Sequence, residues 1–276
     1  MIKPQHHRAF LITVYWTLGL LFLGSIVHAT ESSLACPDWP TCFGTMFPDM
    51  TGGVFWEHLH RLVAGGLILF FGLALYLAWR EGPRQPWVTK ATAVGLLLLL
   101  IQAVLGGVTV LLRLPDAVSS SHLGLAFVFL GLAVVLATVT DPSWGRGVGP
   151  ASEIRESLRK LGSAAVVLTF AQSLVGAAVR HTDAGMACPD IPLCLGRLIP
   201  PLSYGTVALH FSHRVLGILV LSMALWVGHV AFWKARSPVI ARMGVAAAIV
   251  AMAQVLLGFL SVYYRLAVEP VSLHTL

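Results

Sequence analysis

Glu57-His58-Leu59-His60-Arg61 opens an apolar segment that runs to about Trp79, and this stretch decides how the chain is read. A carboxylate, two imidazoles and a guanidinium stand together at the head of a run long enough to cross a bilayer. Ionisable groups in such a place are costly in hydrocarbon, so they point to function rather than to packing. The second half of the chain carries an echo, His210-Phe211-Ser212-His213-Arg214, again at the head of an apolar run.

Around these two stretches the composition is that of a membrane protein. Of 276 residues, 57% are hydrophobic and 11% charged, and the mean hydropathy is +0.82. Soluble domains carry about a quarter charged residues, so the chain reads as an all-α polytopic membrane protein in contact with lipid. A spanning helix takes roughly 20 apolar residues. Windows of that kind fall at about 9–28, 57–79, 88–112, 118–139, 160–180, 207–233 and 239–263, and an eighth begins near Pro270. No small-residue cleavage site closes the first run, which is therefore read as a retained helix rather than a signal peptide. The net charge of +6 is not gathered into a basic stripe with interleaved aromatics, which argues against nucleic acid as a partner.

Basic residues mark the cytoplasmic side of a membrane protein. Lys3, Arg8, Arg80, Arg84, Lys90, Arg146, Arg155, Arg159, Lys160, Lys234, Arg236 and Arg242 fall at the amino terminus and in the even-numbered loops. The odd-numbered loops and their margins hold Arg113, Arg180, Arg197 and Arg265. This distribution predicts a cytoplasmic amino terminus. It turns outward the two loops that hold the cysteines, Cys36/Cys42 and Cys188/Cys194. In an oxidising compartment each pair suits a local disulfide. Zinc is the rival, but two thiols per loop without a nearby histidine are too few for a closed site.

An internal repeat orders the rest. Cys36-Pro37-Asp38-Trp39-Pro40-Thr41-Cys42 matches Cys188-Pro189-Asp190-Ile191-Pro192-Leu193-Cys194 at a spacing of 152 residues. Gln102, Arg113 and His122 match Gln254, Arg265 and His274 at 152, and His60-Arg61 matches His213-Arg214 at 153. The pattern predicts two tandem four-helix bundle repeats, residues 1–139 and 159–276, joined by a cytoplasmic linker at 140–158. An even number of helices per repeat keeps both halves the same way up, related by a pseudo-two-fold axis along the membrane normal.

In that topology His60, His122, His213 and His274 lie near the outer ends of four helices. Two histidines facing each other in a helical bundle meet the need of axial haem-iron ligation. The repeat supplies the pairs His60/His122 and His213/His274. Imidazole suits other transition metals too, but two nitrogens in an apolar cavity favour a porphyrin. Arg61 and Arg214 suit haem propionates, and equally suit interfacial anchors. Glu57 lies one helical turn before His60 on the same face, whereas the matching residue in the second half is His210. It would make the two sites inequivalent, and it also fits a helix-start carboxylate favoured by the macrodipole. His6, His7 and His229 are expected to be solvated or interfacial.

With Glu57-x-x-His60-Arg61, Ser121-His122, the two Cys-Pro-Asp loops, His213-Arg214 and His274 in view, the sequence resembles the bacterial haem A synthase family over nearly its whole length. The resemblance implies an eight-helix plasma-membrane enzyme. Its implied reaction oxidises the C8 methyl of haem O to a formyl group by successive hydroxylations, supplying haem A to terminal oxidases. It implies substrate haem O between His60 and His122, haem b between His213 and His274, and Glu57 as the catalytic carboxylate. It also implies a redox-relevant first cysteine pair. Haem O synthase and the oxidase assembly machinery are the implied partners, with an electron donor; molecular oxygen and water are both open as the oxygen source, and a homo-oligomer is compatible. The family's last helix continues past its histidine, while only Thr275 and Leu276 follow His274. The eighth helix is therefore expected to be truncated here, with its ligand near a chain end.

Two other functions fit the paired histidines. A dihaem b-type membrane electron carrier explains both pairs but not Glu57 or the cysteine loops. A haem-delivery or assembly factor for a terminal oxidase needs only a weakly held haem. A haem O-forming prenyltransferase is disfavoured, because no Asp-rich diphosphate-binding motif occurs in any loop.

Overall fold

The computed structural model describes residues 4–81, 86–142 and 152–275. Eight α-helices follow in order: α1 (Pro4–Ala29), α2 (Gly52–Glu81), α3 (Pro86–Leu111), α4 (Asp116–Val139), α5 (Ser152–His181), α6 (Gly205–Lys234), α7 (Pro238–Tyr263) and α8 (Val268–His274). A 3₁₀ turn at Ala184–Met186 precedes α6. Among the described residues there is no β-strand; extended pairing is confined to the isolated bridges Cys42–Thr45 and Cys194–Arg197. Seven helices, α1 to α7, are long and apolar enough to cross a membrane, at the seven places the apolar windows predict.

The helices outrun those windows because hydropathy marks only the part of a helix that suits lipid. α5 begins at Ser152 rather than 160, and its polar opening holds Glu156 against Arg159 at 2.9 Å and Lys160 at 3.5 Å. Such pairs three and four residues apart support an exposed helical turn without adding apolar character. Of the expected 140–158 linker, residues 143–151 lie outside the described residues.

The chain divides into two compact units, residues 1–144 with 275–276, and residues 145–274. In the first, α1 packs on α2 and α4, and α3 packs on α2 and α4, which closes a four-helix bundle. Phe10, Leu67, Phe71, Phe129 and Leu136 form its buried core. The ring of Phe71 meets that of Phe129 edge-on at 5.3 Å. Phe71 lies eleven residues beyond His60, about 16 Å further along α2 at 1.5 Å per residue. The aromatic core therefore fills one end of the bundle and leaves the other to the histidines.

The second unit is built on α6, which α5 and α7 flank, with α8 on α7. Here the end away from the histidines closes by backbone approach instead of aromatic packing. A Cβ on Gly228 would lie 2.9 Å from the carbonyl oxygen of Gly244, and one on Gly244 would lie 2.6 Å from Ala231 Cβ. Small residues let helices meet this closely in a membrane, where dispersion replaces hydrophobic driving force.

Candidate functional site

Each of the four predicted histidines is seated on a glycine of the preceding helix. A Cβ on Gly24 of α1 would lie 3.0 Å from His60 Cε1, and one on Gly106 of α3 would lie 2.9 Å from His122 Cε1. In the second unit, Gly176 of α5 and Gly258 of α7 would meet His213 and His274 Cε1 at 2.9 Å each. No residue larger than glycine fits these four notches without moving a ring. Sequence reasoning missed them, although the signal was present: Gly24 and Gly176, like Gly106 and Gly258, are 152 residues apart, the spacing of the cysteine loops.

Glutamines support three of the four. Gln102 Nε2 donates to the backbone carbonyl of His122 at 2.8 Å, and Gln172 Nε2 donates to that of His213 at 3.1 Å. Gln254 Nε2 reaches the carbonyl of Leu273 at 3.4 Å, while His274 Nδ1–H donates to the Gln254 carbonyl at 2.9 Å. Leu20 stands at the position of α1 that corresponds to Gln172, so His60 has the least polar support of the four.

Each predicted pair falls within one unit, His60 and His122 in the first and His213 and His274 in the second. His122 lies within electrostatic reach of His60. The rings of His213 and His274 are 6.1 Å apart, centre to centre, and nearly perpendicular at 89°. That separation suits two imidazoles sharing one metal ion through bonds of about 2.0–2.1 Å each. Nδ1 of His60 and Nδ1 of His213 are buried and have no hydrogen-bond partner among the described residues, which is costly for a polar atom with no role. Half-buried imidazoles, rings fixed in notches and, in the second pair, an ion-sized gap fit the donor set of axial haem ligation.

Glu57 is the sixth residue of α2, because the helix starts at Gly52. It is beyond the first turn, where a macrodipole acts. Its side chain is 5% exposed and its partner Arg61 12%, and Arg61 Nη2 donates to Glu57 Oε1 at 2.5 Å. The backbone N–H of Cys36 donates to Glu57 Oε2 at 2.7 Å. Arg61 Nη1 donates to the carbonyls of Asp38 at 2.7 Å and Thr41 at 2.5 Å. The two side chains thus clasp the loop that Cys36–Cys42 closes as a disulfide. Asp38 tightens it by accepting hydrogen bonds from the Thr41 hydroxyl, Gly44 N–H and Phe43 N–H, which hold its carboxyl below the usual range. Trp39 lies over α3, where a Cβ on Gly107 would come within 2.5 Å of the indole.

The second loop is closed by Cys188–Cys194 and held differently. Arg214 Nη1 donates to Asp190 and Leu193 carbonyls at 2.8 Å each, and Nη2 donates to the Cys188 carbonyl at 2.5 Å. His210 occupies the place of Glu57 and its Nδ1–H donates to the Ala184 carbonyl at 2.8 Å, while the exposed Asp190 carboxylate acts on Arg214 through charge alone. Among the described residues, this clasp of Glu57 and Arg61 on a disulfide loop is a feature of the first unit.

Two sequence expectations change. His6 is buried, at 8% exposure, because α1 turns it inward, and His7 Nδ1–H donates to the Ala137 carbonyl at 2.9 Å; His229 is exposed as expected and stacks on Trp226. The first cysteine pair does have a histidine beside it. The clasp folds the loop back so that His58, the residue after Glu57 on α2, lies within 4.8 Å of both sulfurs, a proximity invisible to a search for neighbours in sequence.

Fold and site together define a polytopic membrane protein with paired histidines in four-helix packing and disulfide-closed loops. Residues 49–276 match the family described as cytochrome oxidase assembly protein, COX15-CtaA, and the chain belongs to that family. It is similar to the haem A synthase of Halalkalibacterium halodurans, with 32% identity over 73% of this chain and 68% of that protein. It is likewise similar to the haem A synthase of Symbiobacterium thermophilum, at 33% identity over 85% and 74%, and to that of Alkalihalophilus pseudofirmus, at 28% over 80% and 75%.

Proposed function

We propose that the protein is a haem A synthase, a membrane oxidoreductase that converts the C8 methyl of haem O to a formyl group. The observation that carries this reading is the asymmetry between the units. Both hold a histidine pair, but only the first sets a buried carboxylate, Glu57, one turn from a candidate ligand. A dihaem carrier has no use for that difference, and a delivery factor has no use for a carboxylate clasped so firmly.

In this reading the amino-terminal half, 1–139, holds substrate haem O between His60 and His122, and the carboxy-terminal half, 159–276, holds haem b between His213 and His274. When bound, the haem irons supply the electron transfer that a methyl-to-formyl oxidation requires. The glycine notches fix each ring against its own helix pair, so that ligand geometry does not depend on flexible side-chain packing. Glu57 holds or moves a proton beside the reacting ring edge, and the Cys36 N–H and Arg61 fix where its carboxylate points. Arg61 and Arg214, each one residue past a ligand, hold the loops and place positive charge where haem propionates would lie. The amino terminus is cytoplasmic and the cysteine loops face outward, in the plasma membrane of a bacterium. Haem O synthase supplies the substrate, and the terminal oxidase assembly machinery takes the product.

The test is extraction and chromatography of the haems from cells that express this chain together with a haem O synthase. Haem A or its hydroxymethyl precursor is the expected product. Haems B and O alone, with the chain present in the membrane and haem-loaded, would overturn the synthase reading in favour of a carrier or delivery role.

A further inference from the structure

We propose that the reduced form of the first loop is a copper(I) site, with Cys36, Cys42 and His58 as its three ligands. All three residues are buried, Cys36 and Cys42 at 0% exposure and His58 at 1%, and one donor atom from each lies within 4.8 Å of the others. His58 Nε2–H donates to the Met46 carbonyl at 2.9 Å. That bond fixes the tautomer, so the lone pair of the neutral ring sits on Nδ1. Nδ1 in turn is buried with no hydrogen-bond partner among the described residues. A ring nitrogen anchored to a backbone carbonyl, with its opposite nitrogen left as a naked donor, is the arrangement metal-binding histidines use.

The choice of ion follows from the ligands. Two thiolates and one imidazole form a soft set that selects copper(I) or zinc. Zinc takes four ligands in closed tetrahedral sites, whereas copper(I) is satisfied by three. Met46 and Met50, 49% and 38% exposed, offer thioether sulfurs on the outer surface of the same loop, an approach for a soft monovalent ion. The second loop serves as an internal contrast. Its disulfide packs in an apolar cluster with Val207 and Phe211, and Phe211 stands where the first loop has His58, at the 153-residue spacing of the two His-Arg pairs.

The chemistry balances with an external dithiol as reductant. Two electrons and two protons pass from the dithiol to Cys36–Cys42, breaking one S–S bond in the loop and forming one in the donor. Copper(I) then displaces one proton from each thiol and takes the lone pair of His58. An external disulfide takes two electrons from the thiolates and two protons from water and leaves as a dithiol; the Cys36–Cys42 bond re-forms, both sulfur ligands are lost and the ion is released, so the site is redox-gated.

The experiment uses the full chain in detergent, in a Cys188→Ser/Cys194→Ser background so that one cysteine pair remains. The protein is reduced with a phosphine, its two thiols are counted, and copper(I) is presented from a competing chelator. One copper(I) per reduced chain is expected and none in the oxidised chain, with a nitrogen scatterer in the copper X-ray absorption spectrum. His58→Gln should weaken binding by at least about tenfold, the scale on which even outer partners of a ligand matter, and should remove the nitrogen scatterer. Three results would overturn the proposal: no copper bound once reduction is verified, an affinity and spectrum unchanged in His58→Gln, or zinc held in preference to copper(I). Because the spectrum is read on whatever protein binds copper, His58→Ala serves as a second variant if His58→Gln folds poorly.

Discussion

Glu57 Oε2 accepts the backbone N–H of Cys36 at 2.7 Å, so the carboxylate one turn from His60 is also the anchor of the first disulfide loop. Glu57→Gln separates these two duties. The amide oxygen still accepts from Cys36, while the charge and the proton-binding oxygen are gone. We expect haem content per chain to stay near wild type and haem A formation to fall at least about 100-fold, the lower end of what a positioned proton-transfer group contributes. Haem chromatography alongside absorbance per chain checks both halves; a normal haem A yield would remove Glu57 from the chemistry.

The glycine notches lead to a prediction about ligand geometry. Gly106→Ala and Gly24→Ala place a methyl group 2.9 and 3.0 Å from the rings of His122 and His60. Overpacking of this kind costs about 1–3 kcal/mol and moves the ring or the helix. Both variants should therefore lose haem from the first unit or change the electron paramagnetic resonance of the ferric form. Gly19→Ala on the same face-exposed helix is the control, since nothing lies within 4 Å of a Cβ there. Equal behaviour of Gly19→Ala and Gly24→Ala would show that helix propensity, not the notch, is what matters.

These notches also mark how far the sequence could be read. The seven long helices were legible because lipid demands continuous apolar runs, and the four histidines stood out because the 152–153 spacing repeats rare residues. The clasp was not legible. Glu57 and Arg61 read as features of one helix face, and only the return of the Cys36–Cys42 loop showed that both spend hydrogen bonds on a segment some twenty residues upstream. His58 was hidden for the same reason, since its neighbours come from chain reversal rather than from periodicity. Glycine, with no side chain to suggest chemistry, reveals its role only when the ring on the neighbouring helix is in place.

Asp38 makes the first loop sensitive to acid. Its carboxyl accepts from the Thr41 hydroxyl and from Gly44 and Phe43 N–H, and is held below its ordinary value of 3.8. A group with a depressed folded value binds fewer protons in the folded loop. Its contribution is therefore complete above the unfolded value and is lost as pH falls through the folded one. Amide exchange at Phe43 and Gly44, corrected for intrinsic rates, should accelerate in that acidic window and stay slow at neutral pH. In Asp38→Asn the acid-dependent part should vanish; an unchanged profile would assign it to another carboxyl.

Arg61 and Arg214 hold their loops with the same backbone contacts but differ in what they leave behind. Removing Arg61 strands Glu57 as a buried, uncompensated charge, a change that costs about 3–5 kcal/mol when one partner of a buried pair is deleted. Removing Arg214 leaves backbone carbonyls and an Asp190 carboxylate that is exposed and hydrated rather than stranded. Arg61→Ala should therefore speed reduction of Cys36–Cys42 by a phosphine more than Arg214→Ala speeds reduction of Cys188–Cys194. The decisive comparison is the double variant Glu57→Gln/Arg61→Ala. With no charge stranded, its loop should resist reduction better than that of Arg61→Ala alone, although two interactions are missing instead of one. If the double variant is reduced as fast as Arg61→Ala, the loop is held by the Asp38 and Thr41 carbonyl contacts, and the ion pair contributes little to its closure.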